Sequence, residues 1–114
     1  MTNADCLFCQ IVAGEIPADV VRATDDTVAF RDVAPQAPTH VLVIPRAHHR
    51  DVATLASADP ALAGRLLADA ADVAAELALT DFRLVLNTGV SAGQSVFHVH
   101  AHVMAGRDFG WPPG

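Results

Sequence analysis

Phe97-His98-Val99-His100-Ala101-His102-Val103-Met104 alternates histidine with small or β-branched apolar residues, and a period of two is the pattern of a β-strand with one buried face. Val99, Ala101 and Val103 belong to that buried face, so His98, His100 and His102 stand together on the other. Same-face residues lie about 7 Å apart along a strand, which places the outer two imidazoles about 13 Å apart. A zinc ion, at about 2.0–2.1 Å from each nitrogen, can bridge two such neighbours but not all three. The pattern therefore points to a middle imidazole acting on a substrate, while its neighbours orient it, donate to a leaving group or serve elsewhere. A neutral imidazole is an adequate nucleophile at neutral pH, provided its second nitrogen is fixed by a hydrogen bond.

Upstream of this strand lies Asn87-Thr88-Gly89-Val90-Ser91-Ala92-Gly93-Gln94-Ser95, rich in turn formers. Its glycines allow close backbone approach, and Gly93-Gln94-Ser95 can present N–H groups and a hydroxyl to a phosphate beside the histidines. Phe82 to Leu86 reads as a further strand before this loop. Asp59-Pro60 supplies an N-cap and a first-turn proline. In the long helix that follows, Leu62, Leu66, Ala70, Val73 and Leu77 form an apolar face, and Arg65, Asp69, Asp72 and Glu76 a polar one.

His40-Val41-Leu42-Val43-Ile44, ended by Pro45, reads as a buried strand. Val20-Val21 and Thr27 to Phe30 form a hairpin around Thr24-Asp25-Asp26, and Pro35 and Pro38 turn the chain after it. Cys6 to Ala13 has the spacing of a short helix stopped by Gly14, with Cys6 and Cys9 about one turn apart. The fold class is thus α+β: a mainly antiparallel five-stranded sheet with one long helix and a short N-terminal helix. One long helix covers one face only, so the other is wet or is covered or extended by a homodimer.

The chain has 114 residues, 52% hydrophobic and 18% charged, which suits one domain spanning 1–114 with a short tail from Gly110 to Gly114. Its apolar runs are too short to span a membrane and no exported leader is evident, so a cytoplasmic location is expected. A formal net charge of -6 argues against nucleic acid or an anionic membrane as partner, but leaves a small phosphorylated ligand open. Cys6 and Cys9 have the spacing of a metal or redox pair.

Gly93 through Met104 resembles the signature of the histidine-triad family. Asp32-Val33-Ala34-Pro35-Gln36-Ala37-Pro38-Thr39-His40, Val43-Ile44-Pro45 and Trp111-Pro112-Pro113-Gly114 resemble its nucleotide-binding branch in particular. The resemblance implies a homodimer with a continuous sheet that hydrolyses purine nucleoside phosphoramidates through a nucleotidyl-histidine intermediate. It makes His100 the nucleophile and places Ser95, His102, His98 and His40 in the catalytic set. Asp32 would take the ribose hydroxyls, and Leu7, Phe8, Ile11, Phe30 and Val33 would surround the base. Asn87, Gly93, Gln94, Ser95 and Trp111 would complete the substrate contacts, with the C-terminal tail shaping the site.

Related nucleotidylyltransferases carry glutamine where this chain has His102, so the resemblance favours hydrolysis. It further implies structural zinc at Cys6, Cys9, His48 and His98, with no cofactor needed for catalysis. The competing readings are a nucleotide-binding regulatory protein with incidental turnover, a dinucleoside polyphosphate hydrolase and a cysteine-histidine module that recognises a macromolecule.

Overall fold

The computed structural model describes residues 4–114. Its elements run α1 (Leu7–Val12), β1 (Val20–Ala23), β2 (Thr27–Arg31), β3 (Thr39–Pro45), α2 (Val52–Ala58), α3 (Pro60–Glu76), β4 (Arg83–Val85) and β5 (Ala101–Ala105). The five strands form one sheet in the order β1-β2-β3-β5-β4, antiparallel at every pairing. This is the α+β sheet expected from the periodicities, with β3 at its centre.

Alternation along β3 divides the core. Val41 and Val43 pack with Leu66, Ala70 and Val73 of α3 and with Ala101 and Val103 of β5. Leu42 and Ile44 face the other way and pack with Phe8, Val28 and Phe30. The second face is therefore covered within the chain, by α1, and not only by wetting or by a second copy. Phe8 is the plug: 5% exposed, it meets Phe30 edge-on at 5.5 Å between ring centroids.

Three details depart from the sequence reading. Asp51 caps the helix α2 that the sequence did not announce; its carboxylate accepts from the Thr54 N–H and hydroxyl, and this holds its pKa below the usual carboxylate range. Asp69, assigned to the polar stripe of α3, is 2% exposed and accepts a 2.7 Å hydrogen bond from the Thr27 hydroxyl. Arg22 reaches it from β1 at 4.0 Å, so the buried carboxylate is partnered.

The third departure concerns the histidine segment. Only Ala101–Ala105 is hydrogen-bonded as a strand, paired with Thr39–Val43. Continuing the register would set residue 99 opposite Pro45, which has no N–H to give. The chain turns there instead, held by the Val99 N–H on the His49 carbonyl at 2.8 Å. No helix among the described residues is long and apolar enough to cross a membrane.

Candidate active site and thiol-imidazole cluster

His100 and His102 line a cleft of about 660 Å³ between α1 and the sheet. Its apolar part includes Leu7, Phe8, Ile11, Phe30 and Val33, the residues expected around a base, and Asp32 and Ser95 line its polar end. Ile16, Pro17, Ala18, Leu42 and Val96 also line it; the first three carry no periodic or motif signal, and Leu42 and Val96, though within a strand and the signature, are brought to the cleft only by the fold. His100 is 8% exposed, and Phe8 meets its ring edge-on at 5.1 Å.

His100 Nδ1 donates to the His98 carbonyl oxygen at 2.8 Å. Carbonyl oxygen only accepts, so the hydrogen is on Nδ1 and Nε2 keeps its lone pair. Burial lowers the His100 pKa, opposed by that hydrogen bond and by Asp32, which favours the neutral form a nucleophile needs.

His102 belongs to a second chain of bonds. The Gln36 backbone N–H donates to His40 Nδ1 at 3.0 Å, which puts the His40 hydrogen on Nε2. That hydrogen is given to His102 Nδ1 at 2.9 Å, so His102 carries its own hydrogen on Nε2. His102 Nε2 is buried and has no hydrogen-bond partner among the described residues. An unpaired buried donor is costly, and here it lies next to His100, whose ring is 4.8 Å away. Burial, followed by repulsion from His100 and His40, lowers the His102 pKa to about 4 against the attraction of Asp32. Burial lowers that of His40 as well, opposed by Asp32, whose Oδ2 is 3.4 Å from His40 Nε2. The other Asp32 oxygen accepts from the Ala34 N–H, which holds the carboxylate at the cleft mouth.

His98 is turned out of this cleft. Fully buried, it donates from Nε2 to the Pro45 carbonyl at 2.8 Å, leaving the Nδ1 lone pair toward the cysteines. Nδ1 lies 3.4 Å from Cys6 Sγ, 3.5 Å from Cys9 Sγ and 3.3 Å from His48 Nδ1, and Cys9 Sγ is 3.3 Å from His48 Nδ1. Ligands of a tetrahedral zinc, at about 2.0–2.3 Å from the metal, are separated by about 3.3–3.8 Å. The four residues thus fit such an ion, and Pro45 supplies the outer contact that fixes the ligating tautomer. Burial foremost lowers the pKa of both His48 and His98, the latter to about 4, so both are neutral donors near pH 7.

The remaining expected residues divide. Gly93 has φ +99, and a Cβ there would stand 3.6 Å from the Asn87 amide, so Asn87 supports the loop from below. The Gln94 side chain, 3% exposed, accepts from the Gly89 N–H and donates to the Arg50 and Val96 carbonyls. Its amide is committed to holding the loop. Asn87 lines a separate cleft with Gly110, Pro112, Pro113 and Gly114, while Trp111 is 86% exposed and lines neither cleft.

Residues 13–109 match the model of the HIT domain. The chain belongs to the histidine-triad family. This histidine-triad protein is 49% identical over 111 residues to a HIT-like protein of Synechocystis, covering 96% of the chain and 97% of that protein. Among solved structures it is similar to a HIT family hydrolase from Legionella pneumophila, with TM-score 0.91, 43% identity and coverage of 96% of this chain and 100% of that one. It is also similar to the histidine triad nucleotide-binding protein of Candida albicans, with TM-score 0.83, 30% identity and coverage of 95% and 83%.

Proposed function

We propose that this histidine-triad protein is a cytoplasmic hydrolase of purine nucleoside 5′-phosphoramidates, working through a nucleotidyl intermediate on His100. The observation that carries the reading is the hydrogen bond from His100 Nδ1 to the His98 carbonyl, which leaves an unprotonated nitrogen at the cleft. A purine occupies the apolar slot around Phe8 and Phe30, and Asp32 accepts from the ribose hydroxyls. Ser95 donates to the phosphate.

The substrate's negative charge draws one additional proton to His102 Nδ1, and the His40 Nε2–H displaced from it turns to Asp32 Oδ2, 3.4 Å away. His100 Nε2 bonds to phosphorus, the P–N bond breaks, and its electron pair stays with the amine. The amine takes the additional proton from His102 Nε2. In the second step water attacks phosphorus, its proton returns to His102, and the P–Nε2 bond breaks to release the monophosphate and free His100. Amine and nucleoside monophosphate are the net products of phosphoramidate and water.

Cys6, Cys9, His48 and His98 hold a structural zinc in this reading. The ion ties α1 to the segment whose carbonyl orients His100, and takes no part in the chemistry. The protein acts as a homodimer whose strands join into one continuous sheet.

Incubation of adenosine 5′-phosphoramidate with the parent and with His100→Ala tests the reading. Adenylate from the parent alone supports it. Equal rates remove His100 as nucleophile, and tight adenylate binding without turnover by the parent favours a regulatory binding protein.

A further inference from the structure

Behind His102, away from the base slot, lies the second cleft, of about 560 Å³. His40, His102, Arg83, Arg107 and Phe109 are among the residues that line it. No Asp or Glu side chain among the described residues lines it. That is unusual in a chain of net charge -6 with seven arginines. Arg22, Arg31, Arg50 and Arg65 each have a carboxylate within 4.0 Å, whereas no ion pair is found for Arg46, Arg83 or Arg107 among the described residues, and of these three only Arg83 and Arg107 line this cleft.

Both guanidinium groups are nonetheless held in place. Arg83 packs on the Phe109 ring at 5.0 Å from its centroid and Arg107 at 4.2 Å. Arg83 donates to the Gly110 carbonyl, and Arg107 to those of Gln36 and Asp108. Of five N–H groups each, Arg83 has committed one and Arg107 two, so at least three remain on each. Two cations on one ring, with donors to spare and no carboxylate within 4.0 Å among the described residues, are an arrangement that an anion would relieve.

Its position says which part of a substrate reaches it. In-line displacement expels the leaving group on the side of phosphorus opposite the nucleophile. His102 lines both clefts, whereas His100 lines only the first and the two arginines only the second. We propose that Arg83 and Arg107 form a leaving-group subsite that selects an anionic leaving group, an amine bearing a carboxylate. The inference rests on the phosphoramidase reading for the identity of the bond that breaks.

The test uses two adenosine 5′-phosphoramidates, of β-alanine and of β-alanine amide, which differ in one charge. Binding is measured by calorimetry on His100→Ala, which cannot form the intermediate, and turnover on the parent. The acid should bind about tenfold more tightly than the amide at low ionic strength, and less so as salt is added. Arg83→Gln and Arg107→Gln, each made in the His100→Ala protein, should each reduce that ratio, and the double Gln change bring it to about one. Arg83→Lys and Arg107→Lys should keep part of it, which separates loss of charge from disturbance of the tail.

ADP serves as a third ligand against AMP. A gain for its terminal phosphate that the Gln variants abolish also supports the basic subsite, and names a phosphate chain as the anion it accepts. Equal binding of acid, amide and parent nucleotide overturns the subsite while turnover of either compound leaves the phosphoramidase reading standing. Binding of no nucleotide overturns both.

Discussion

His100 Nδ1 and the carbonyl oxygen of His98 are 2.8 Å apart, so the residue that contributes its ring to the thiol cluster contributes its backbone to the nucleophile. The tautomers follow from the acceptors. His100 should carry its hydrogen on Nδ1, whereas His40, His98 and His102 should carry theirs on Nε2. Nitrogen-15 correlation spectra of the histidines near pH 8 check this, and an Nε2–H form of His100 would contradict the assigned nucleophile.

Removal of either member of the imidazole pair should separate the two chemical steps. His40→Ala leaves His102 without the partner that fixes its ring, and should lower kcat by about 10²-fold with a smaller change in KM. His102→Gln removes both the acid for the amine and the base for the water step; with an aryl ester of adenylate, whose leaving group needs no proton, only the second step is lost, so an adenylated protein should accumulate and appear in the intact mass. His100→Ala should lose about 10³-fold or more in turnover and form no adduct.

Metal content is read directly. Protein purified without chelator should contain about one zinc per chain, and Cys6→Ser and Cys9→Ser should lose it. Chelation should lower Tm by about 5 °C or more, since about 1 kcal/mol shifts Tm by roughly 4–8 °C in domains of this size. Protein isolated without metal and unaffected by chelator would leave the cluster as a plain thiol-imidazole contact.

Stability should fall with acid. His102, faced by His100, His40 and Asp32, has a folded pKa of about 4, below the ordinary value of 6.5. Between those values the unfolded chain binds more protons, so folding stability rises with pH across that window and is lost as pH drops through it. His40 acts in the same direction. Tm should be nearly flat above about pH 7.5 and decline toward pH 4, with a shallower slope in His102→Gln. A Tm that rises on acidification would refute the buried neutral pair.

Gly106 ends β5 with φ +97, and a Cβ there would lie 2.8 Å from Pro38 Cβ. Gly106→Ala combines left-handed backbone strain with a collision against a rigid ring, and should cost about 1–3 kcal/mol in chemical denaturation. Gly14→Ala is the control: it shares the positive φ, at +77, but meets nothing within 4 Å, so its cost should be smaller.

The sequence disclosed whatever repeats with a local period. The apolar run of β3, the alternation of β5, the cap and face of α3 and the hairpin of β1 and β2 could all be read because each depends on residues no more than about four apart. α2 was missed because Val52–Ala58 has no strong amphipathic face, only the Asp51 cap. The extension of β5 back to Phe97 was overestimated because what breaks it, Pro45, belongs to another strand.

By itself, then, the sequence determined the element order, the sheet's composition and the histidine-rich segment as the reactive one. Tertiary structure decided how those histidines differ. Identical side chains at a two-residue spacing acquire separate tautomers only from the acceptors around them: Pro45 turns His98 toward the thiols, the His98 carbonyl frees Nε2 of His100, and His40 gives His102 an outward Nε2–H. Those acceptors come from segments distant in the chain or from the backbone itself, and no pattern of residue types records where a carbonyl will point.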